Sequence, residues 1–300
     1  MGVWGYGSCS LPCPRSHPPI PPSSHAPILY TLFVLGAEII IVGNEVLLGL
    51  VQDTNSNYLC RVIRESGGSV RHIAVVADEF AAVGDELKLS LGRSADLLIT
   101  CGGLGPTEDD LTLAAIAKAC DLPLVSDPTA ADFIQRRYSD LAALGYVESA
   151  EMTEARLKMA RFPEGARMID NPVGTAPAML LSVRETEILS LPGVPAELKG
   201  IIEGPLAEFF TGMFGGGAYI ERELSAECGD ESAMAAVLRR VAGDHPGVYI
   251  KSHAGRFGAQ SKFRITLSAT AANTREGEAL IERARADLIR DFAHAGINSG

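Results

Sequence analysis

The sequence predicts an open, mostly parallel α/β sheet with helices on both faces, followed by a small α+β module. Three observations carry that expectation. Short continuous apolar runs recur at Glu38–Val42 and Leu97–Thr100, the pattern of strands buried on both faces. Between them lie stretches whose apolar residues follow a 3.6-residue period. Each run ends in a glycine-bearing loop, and open α/β sheets bind ligands at the carboxyl ends of their strands.

Taken in order, Glu38–Val42 opens the fold. Leu59, Val62 and Ile63 mark one face of a helix that starts near Asn55 and stops at Gly67-Gly68. Val70–Val76 is the second strand, and Phe80, Val83, Leu87 and Leu91 lie along the next helix. Leu97–Thr100 is the third strand, with a helix from about Glu108 to Ala119. Helical patterns cover Thr129–Leu144 and Glu151–Ala160. Met179–Val183 and Glu187–Leu191 read as strands, and Ala196–Phe210 as a closing helix. After the glycine-rich Gly212–Gly217, the order is strand (Glu221–Glu227), helix (Ser232–Val241), strand (Val248–Ser252), strand (Lys262–Ala269) and helix (Arg275–Phe292). The expected organisation is therefore an extension at 1–36, an α/β domain at 37–212, a linker at 213–220 and a module at 221–300.

Residues 1–36 hold seven of the 17 prolines, no acidic residue and one basic residue, Arg15. Such a segment cannot build a core. It reads as a start assigned too far upstream, a disordered tail or a targeting segment. Its apolar stretch Ile28–Gly36 is too short to span a membrane. A chain of 300 residues with 47% hydrophobic and 21% charged content otherwise describes an ordinary cytoplasmic globular protein. The six cysteines form no CxxC pair, so reduced, packed thiols are expected, and the scattered histidines argue against zinc. Residues 221–300 carry 11 acidic and 11 basic side chains, so the whole formal charge of −11 lies upstream. That balance argues against nucleic acid, which needs a cationic face, and suits a site that recruits cations.

Four loops carry the chemistry. The first is Gly43–Gly49, where Glu45 either ligates a cation or ribose hydroxyl or closes a turn; Asp53-Thr54-Asn55 follows it, with Asn55 a helix cap or a substrate contact. The second is Cys101–Thr112, where Gly102, Gly103 and Gly105 precede the carboxylates of Glu108, Asp109 and Asp110. Glycines admit a ligand close to the backbone, and helix-start amides attract phosphate. Carboxylates in the same turn repel a bare phosphate, and a divalent cation bridging the two resolves the conflict. Thr107-x-x-Asp110 also matches a capping box. The third loop, Asn171–Pro177, offers the amides of Gly174 and Thr175 to a phosphate or pterin-like ring. The fourth, Leu191–Glu197, opens the closing helix, where Glu197 complements the helix dipole or enters the site. Gly255-Arg256-Phe257-Gly258 is a GxxG, but between two strands it reads as a hairpin turn. His245 and His253 have no partner in sequence.

In this order the loops resemble those of the competence/damage-inducible protein A (CinA) family, whose core is a molybdopterin-binding domain of the MoaB/Mog superfamily. Gly43–Gly49 is similar to its GxELLxG segment, Asp53–Asn55 to its DTN, and Gly102–Thr112 to its GGLGPTxDDxT. Asn171–Pro177 and Leu191–Glu197 are similar to NPVGTAPG and LPGVPxE. Asn44, Val46, Ala77 and Ala178 stand where the family has Thr, Leu, Gly and Gly; none of these changes removes a carboxylate. The C-terminal module resembles the family's KH-like domain. The deamidase activity of full CinA proteins belongs to a further domain and is not carried over.

The resemblance implies metal-dependent hydrolysis of the pyrophosphate in an ADP-ribose-type nucleoside-diphosphate sugar. It places Glu45, Asp109 and Asp110 around a divalent cation (magnesium, manganese or cobalt). The amides of Gly102, Gly103, Gly105 and Gly174 then hold phosphate, with Thr112, Asn171 and Thr175 as polar contacts. It equally allows molybdopterin binding or adenylyl transfer, and a non-catalytic nucleotide sensor. A homo-oligomer is the expected assembly, with a small nucleotide or pterin as the ligand.

Overall fold

The strand β1 (Gly36–Val42) is buried along its whole length and forms the spine of the sheet. Ile39 and Ile41 project into one hydrophobic cluster, Ile40 and Val42 into another, which is why the run is apolar without alternation. The computed structural model describes residues 35–215, 217–228, 231–253 and 261–300. The 1–34 segment and the 254–260 stretch with its GxxG lie outside the described residues.

After β1 come α1 (Asn44–Leu47), α2 (Asn55–Glu65), β2 (Ser69–Val76), α3 (Phe80–Gly92), β3 (Leu97–Cys101) and α4 (Thr112–Ala119). Then follow β4 (Leu124–Ser126), α5 (Pro128–Ala143), α6 (Glu154–Lys158), β5 (Arg161–Pro163) and β6 (Arg167–Ile169). The α/β part ends with β7 (Ala178–Val183), β8 (Thr186–Leu191), α7 (Pro195–Glu203) and α8 (Phe209–Phe214). The main sheet has the order β2-β1-β3-β8-β7-β6. Its first four strands are parallel, and β7 and β6 are antiparallel. Helices α2, α7 and α8 cover one face through Leu59, Ile63, Leu198, Ile201 and Phe210. Helices α3, α4 and α5 cover the other through Val83, Leu87, Ile116, Phe133 and Ile134. The expected mostly parallel sheet, clothed on both faces, is what forms.

The C-terminal part contains β9 (Ala218–Cys228), α9 (Glu231–Asp244), β10 (Tyr249–His253), β11 (Ser261–Ala271), α10 (Thr274–His294) and β12 (Asn298–Ser299). Its strands make an antiparallel sheet in the order β10-β11-β9-β12. Both helices pack on it through Met234, Val241, Ile281, Leu288 and Phe292. His245 and His253 do have partners: Asp287 at 2.8 Å and the Thr266 hydroxyl at 3.1 Å. Among the described residues no helix is long and apolar enough to cross a membrane. Cys60, Cys101 and Cys120 are free thiols.

Three local expectations change. The helix expected from Glu108 begins only at Thr112, because the Thr107–Asp110 turn closes on itself. The closing helix breaks after Glu203, where Gly204 leaves the helical region, and resumes as α8, which takes in Gly212. The three-residue strands β4, β5 and β6 are too short to leave a periodic pattern.

Glu38 is a carboxylate on β1 that is only 2% exposed. Arg93 answers it in bidentate fashion, from Nε at 2.9 Å and Nη2 at 2.6 Å. Burial raises the Glu38 carboxyl, but hydrogen bonds from Arg93 and Ser90 and the Arg93 charge outweigh it and hold the group below its ordinary range. A depressed folded value stabilises the protein above the unfolded pKa, and that stability is lost as pH falls through the folded one. Arg93→Ala should therefore cost on the order of 3 kcal/mol at neutral pH by leaving a buried charge unpaired. Urea unfolding at pH 7 and pH 3 checks this: the penalty should shrink at the lower pH, as Glu38 takes up protons.

Candidate active site

Sheet topology brings the loops together. Strands β1, β2, β3 and β8 are parallel, so the segments that leave their carboxyl ends share one rim. Strand β7 runs the other way, so the loop that enters it, Asn171–Pro177, reaches the same rim. Backbone bonds stitch the edge: the Gly43 amide donates to Val76 O at 3.1 Å and the Gly102 amide to Leu191 O at 3.0 Å.

Between these loops lies a cleft of ≈ 530 Å³. Its lining includes Glu45, Asp78, Asp109, Asp110 and Glu197 and, among the described residues, no basic one. Gly102, Gly103, Gly105 and Thr175 also line it, with Val42, Val51, Leu104, Pro192 and Val194 as apolar wall. Glu45 and Asp109, 64 residues apart in sequence, thus face one cavity. Both charges reach Asp78. Burial raises the Asp78 carboxyl above its ordinary range; the Asn44 amide, donating at 2.6 Å, draws it back in part, and the charges of Glu45, Asp109 and Asp110 push it up again.

Asp109 and Asp110 are held by one residue. The Thr107 hydroxyl lies 2.5 Å from Asp109 Oδ1 and 2.6 Å from Asp110 Oδ2, and the Thr107 amide donates to Asp110 Oδ2 at 2.9 Å. The Thr107 hydrogen bond keeps the Asp109 carboxyl below its usual range, so this exposed group is anionic. The capping-box residues therefore cap a turn rather than a helix. Among the described residues no three His, Cys, Asp or Glu side chains are grouped closely enough to cage a metal.

The glycines have structural work of their own. Gly102 sits at φ 110°, and a Cβ there would lie 2.2 Å from Val42 O. A Cβ at Gly105 would meet the Asp110 carboxylate at 2.5 Å, and one at Gly174 the Glu197 carboxylate at 2.0 Å. The Gly174 amide donates to Asn171 Oδ1 at 2.8 Å and, like that of Gly102, is engaged within the protein. Among the described residues, neither the Gly103 nor the Gly105 amide donates to a backbone carbonyl.

Thr112 and Asn171, expected as polar contacts, and Asn55, expected as a helix cap or a substrate contact, are all buried and brace the loops. Thr112 is fully buried, and its hydroxyl donates to Gly102 O at 2.8 Å. Asn55 is also buried: its amide donates to Gly193 O at 2.7 Å and Cys101 Sγ at 3.3 Å, while Asp53, ahead of the helix, accepts from the Ser56 amide. Asn171 donates to Ala176 O at 2.8 Å and Glu197 Oε2 at 2.7 Å, and accepts from the Val173 and Gly174 amides. Arg137 ties the same loop from α5 through Val173 O and Gly174 O. Asn171→Ala should cost about 1–3 kcal/mol through the buried groups it leaves unpaired. It should also weaken any ligand at Glu197, which equilibrium unfolding and binding measured together would reveal.

Lys158 and Arg161 carry no motif and were missed in sequence. They flank the other side of the glycine loop, in a pocket of ≈ 200 Å³ shared with Gly103, Gly105 and Asp110. The Lys158 ammonium also donates to Thr107 O. The loop is thus bordered by carboxylates on one side and cations on the other. Cys101 is buried beside it, its thiol pushed up to about 12 by burial, and takes no part as a thiolate.

Comparison with known proteins agrees with this architecture. Residues 38–210 match the family described as "probable molybdopterin binding domain". The chain belongs to that family. A solved relative is the CinA protein of unknown function from Thermoplasma acidophilum, 34% identical, with a TM-score of 0.53 over 58% of this chain and 98% of that one. A Pyrobaculum calidifontis protein is 35% identical over 87% of this chain and 98% of its own length. One from Caldivirga maquilingensis is 38% identical over 72% and 80%. The fold is thus that of the molybdopterin-binding-domain family and of its CinA relative, as the CinA-like resemblance implied. The family match ends at residue 210, before the C-terminal sheet, so the KH-like character of that part stands as a proposal.

Proposed function

We propose that the cleft hydrolyses the phosphoanhydride of an ADP-ribose-type nucleoside-diphosphate sugar with the help of a divalent cation. One observation carries this reading: carboxylates from separate loops face a single cleft across a glycine turn, with Lys158 and Arg161 on the turn's far side. The donor set fits a hard cation such as magnesium or manganese, which binds through one or two carboxylates and completes its shell with water and phosphate oxygens. That mode needs no protein cage. One or two of Glu45, Asp109 and Asp110 would hold the ion directly, and the remainder would bind its water shell. When bound, it neutralises the diphosphate and lowers the pKa of coordinated water.

The chain's own residues supply the rest. Thr107 fixes the two aspartates, and Asn171 fixes Glu197 at the opposite wall. The Gly103 and Gly105 amides are suited to phosphate oxygens, with Lys158 and Arg161 favouring the negative charge from behind. Water adds to one phosphorus, the bridging P–O bond breaks, and AMP and ribose 5-phosphate leave. Incubating the purified chain with ADP-ribose and magnesium or manganese, and assaying for AMP, tests the reaction. Product in both cases absent, with a pterin bound instead, would overturn it.

The second reading is pterin or molybdopterin binding, with adenylyl transfer as a variant. Two observations favour it: the description of the matched family, and the apolar wall of Val42, Val51, Leu104 and Val194, which suits a flat ring. Self-association and a purely sensory role are further proposals that the same ligand screen, run with sedimentation, would address.

A further inference from the structure

A second cavity, of ≈ 570 Å³, opens where the end of α2 and the start of β2 meet β9, β10 and β11. It shares no lining residue with the acidic cleft. Among the described residues, Arg64 is the charged side chain on its wall. The guanidinium carbon lies 4.2 Å from the centroid of the Tyr219 ring. Tyr219 is itself tethered, its hydroxyl donating to Glu221 Oε2 at 2.5 Å.

Arg64 Nε is the one buried side-chain nitrogen or oxygen among the described residues that has no hydrogen-bond partner. Buried donors of a charged group rarely stay unpaired, because the missing bond is costly. Stacking on Tyr219 does not supply it: an aromatic ring interacts with the face of a guanidinium, whereas its N–H bonds lie in the plane. Nε is closed to solvent, so an acceptor that enters the cavity pairs with the rest of the Arg64 guanidinium on its wall. Cys60 on the same wall is a neutral thiol, raised by burial and by the Asp53 charge, so it does not compete as an anion.

The cavity also offers a flat surface. Tyr249, at the start of β10, is 64% exposed and lines this space beside Pro246 and Gly247. We propose that the cavity binds a small phosphomonoester bearing a planar ring, with a nucleoside monophosphate as its simplest form. Phosphate oxygens accept from Arg64, and the ring lies against Tyr249. Such a ligand touches both the α/β part and the C-terminal sheet, so its binding stabilises their contact. The site stands independently of what the acidic cleft hydrolyses.

Titration calorimetry of the full chain with AMP, and separately with inorganic phosphate, tests this in metal-free buffer. Wild type and Asp109→Asn should bind AMP alike. Arg64→Gln should bind both probes at least about tenfold more weakly, the loss of one charged hydrogen bond. Tyr249→Ala should weaken AMP but leave phosphate unchanged, and because Tyr249 is exposed it serves even if Arg64→Gln fails to fold. No binding of either probe, AMP affinity unchanged in Arg64→Gln or Tyr249→Ala, or loss of AMP binding in Asp109→Asn would overturn the assignment.

Discussion

Asp109→Asn is expected to slow AMP release from ADP-ribose by about 10²–10³-fold, the scale on which removing one preorganised charge contact reduces turnover. Stability should barely change. Asp109 is exposed, its carboxylate accepts from a neighbouring hydroxyl, and surface substitutions of this kind stay within about 0.5 kcal/mol. The two readouts together separate a chemical role from a structural one. Thr107→Ala should follow in weaker form, since Thr107 orients both Asp109 and Asp110 without facing the cavity. Single-turnover assays with magnesium held in excess measure both. Unchanged turnover in Asp109→Asn would remove the central residue from the mechanism.

Gly102→Val is expected to be the most destabilising change in the site, by about 3 kcal/mol or more from backbone strain and overpacking. The backbone at Gly102 lies at φ 110°, and its Cβ would strike Val42 O. Relief by local movement is blocked. The Gly102 amide is bound to Leu191 O, and its carbonyl accepts from the buried Thr112 hydroxyl. Gly145 makes a control: its φ is 75°, but a Cβ there meets nothing within 4 Å. Gly145→Ala should cost only about 1 kcal/mol, the strain alone. Urea denaturation of the pair would reveal equal penalties if the tight fit at Gly102 were unimportant.

The sheet was legible because burial on both faces leaves an unmistakable pattern. Glu38–Val42 and Leu97–Thr100 show no polar alternation, and both became central parallel strands. The loops were legible as a set because glycines, prolines and carboxylates cluster where strands end. Individual roles were less so. Thr107-x-x-Asp110 has the spacing of a helix start, yet its bonds close a turn at 107–110, before α4 begins at Thr112. Thr112 and Asn171 read as polar contacts and Asn55 as a helix cap or a substrate contact, and each is buried and hydrogen-bonded within the loops. Such braces look identical to ligand contacts in sequence, since both require a hydrogen-bonding group beside a glycine. Lys158 and Arg161 reach the loop only through the tertiary path of α6 and β5, so no local signal marks them.

The central claim is that carboxylates from separate loops serve a single cation. A double-mutant cycle on manganese binding, read by calorimetry with a non-hydrolysable ADP-ribose analogue present, tests this most directly. Glu45→Gln and Asp109→Asn should each weaken one site per chain, and the double variant should lose less than the sum of the two, because both act on the same ion. Strictly additive losses, or manganese affinity unaffected by Glu45→Gln, would contradict a shared ion in this cleft.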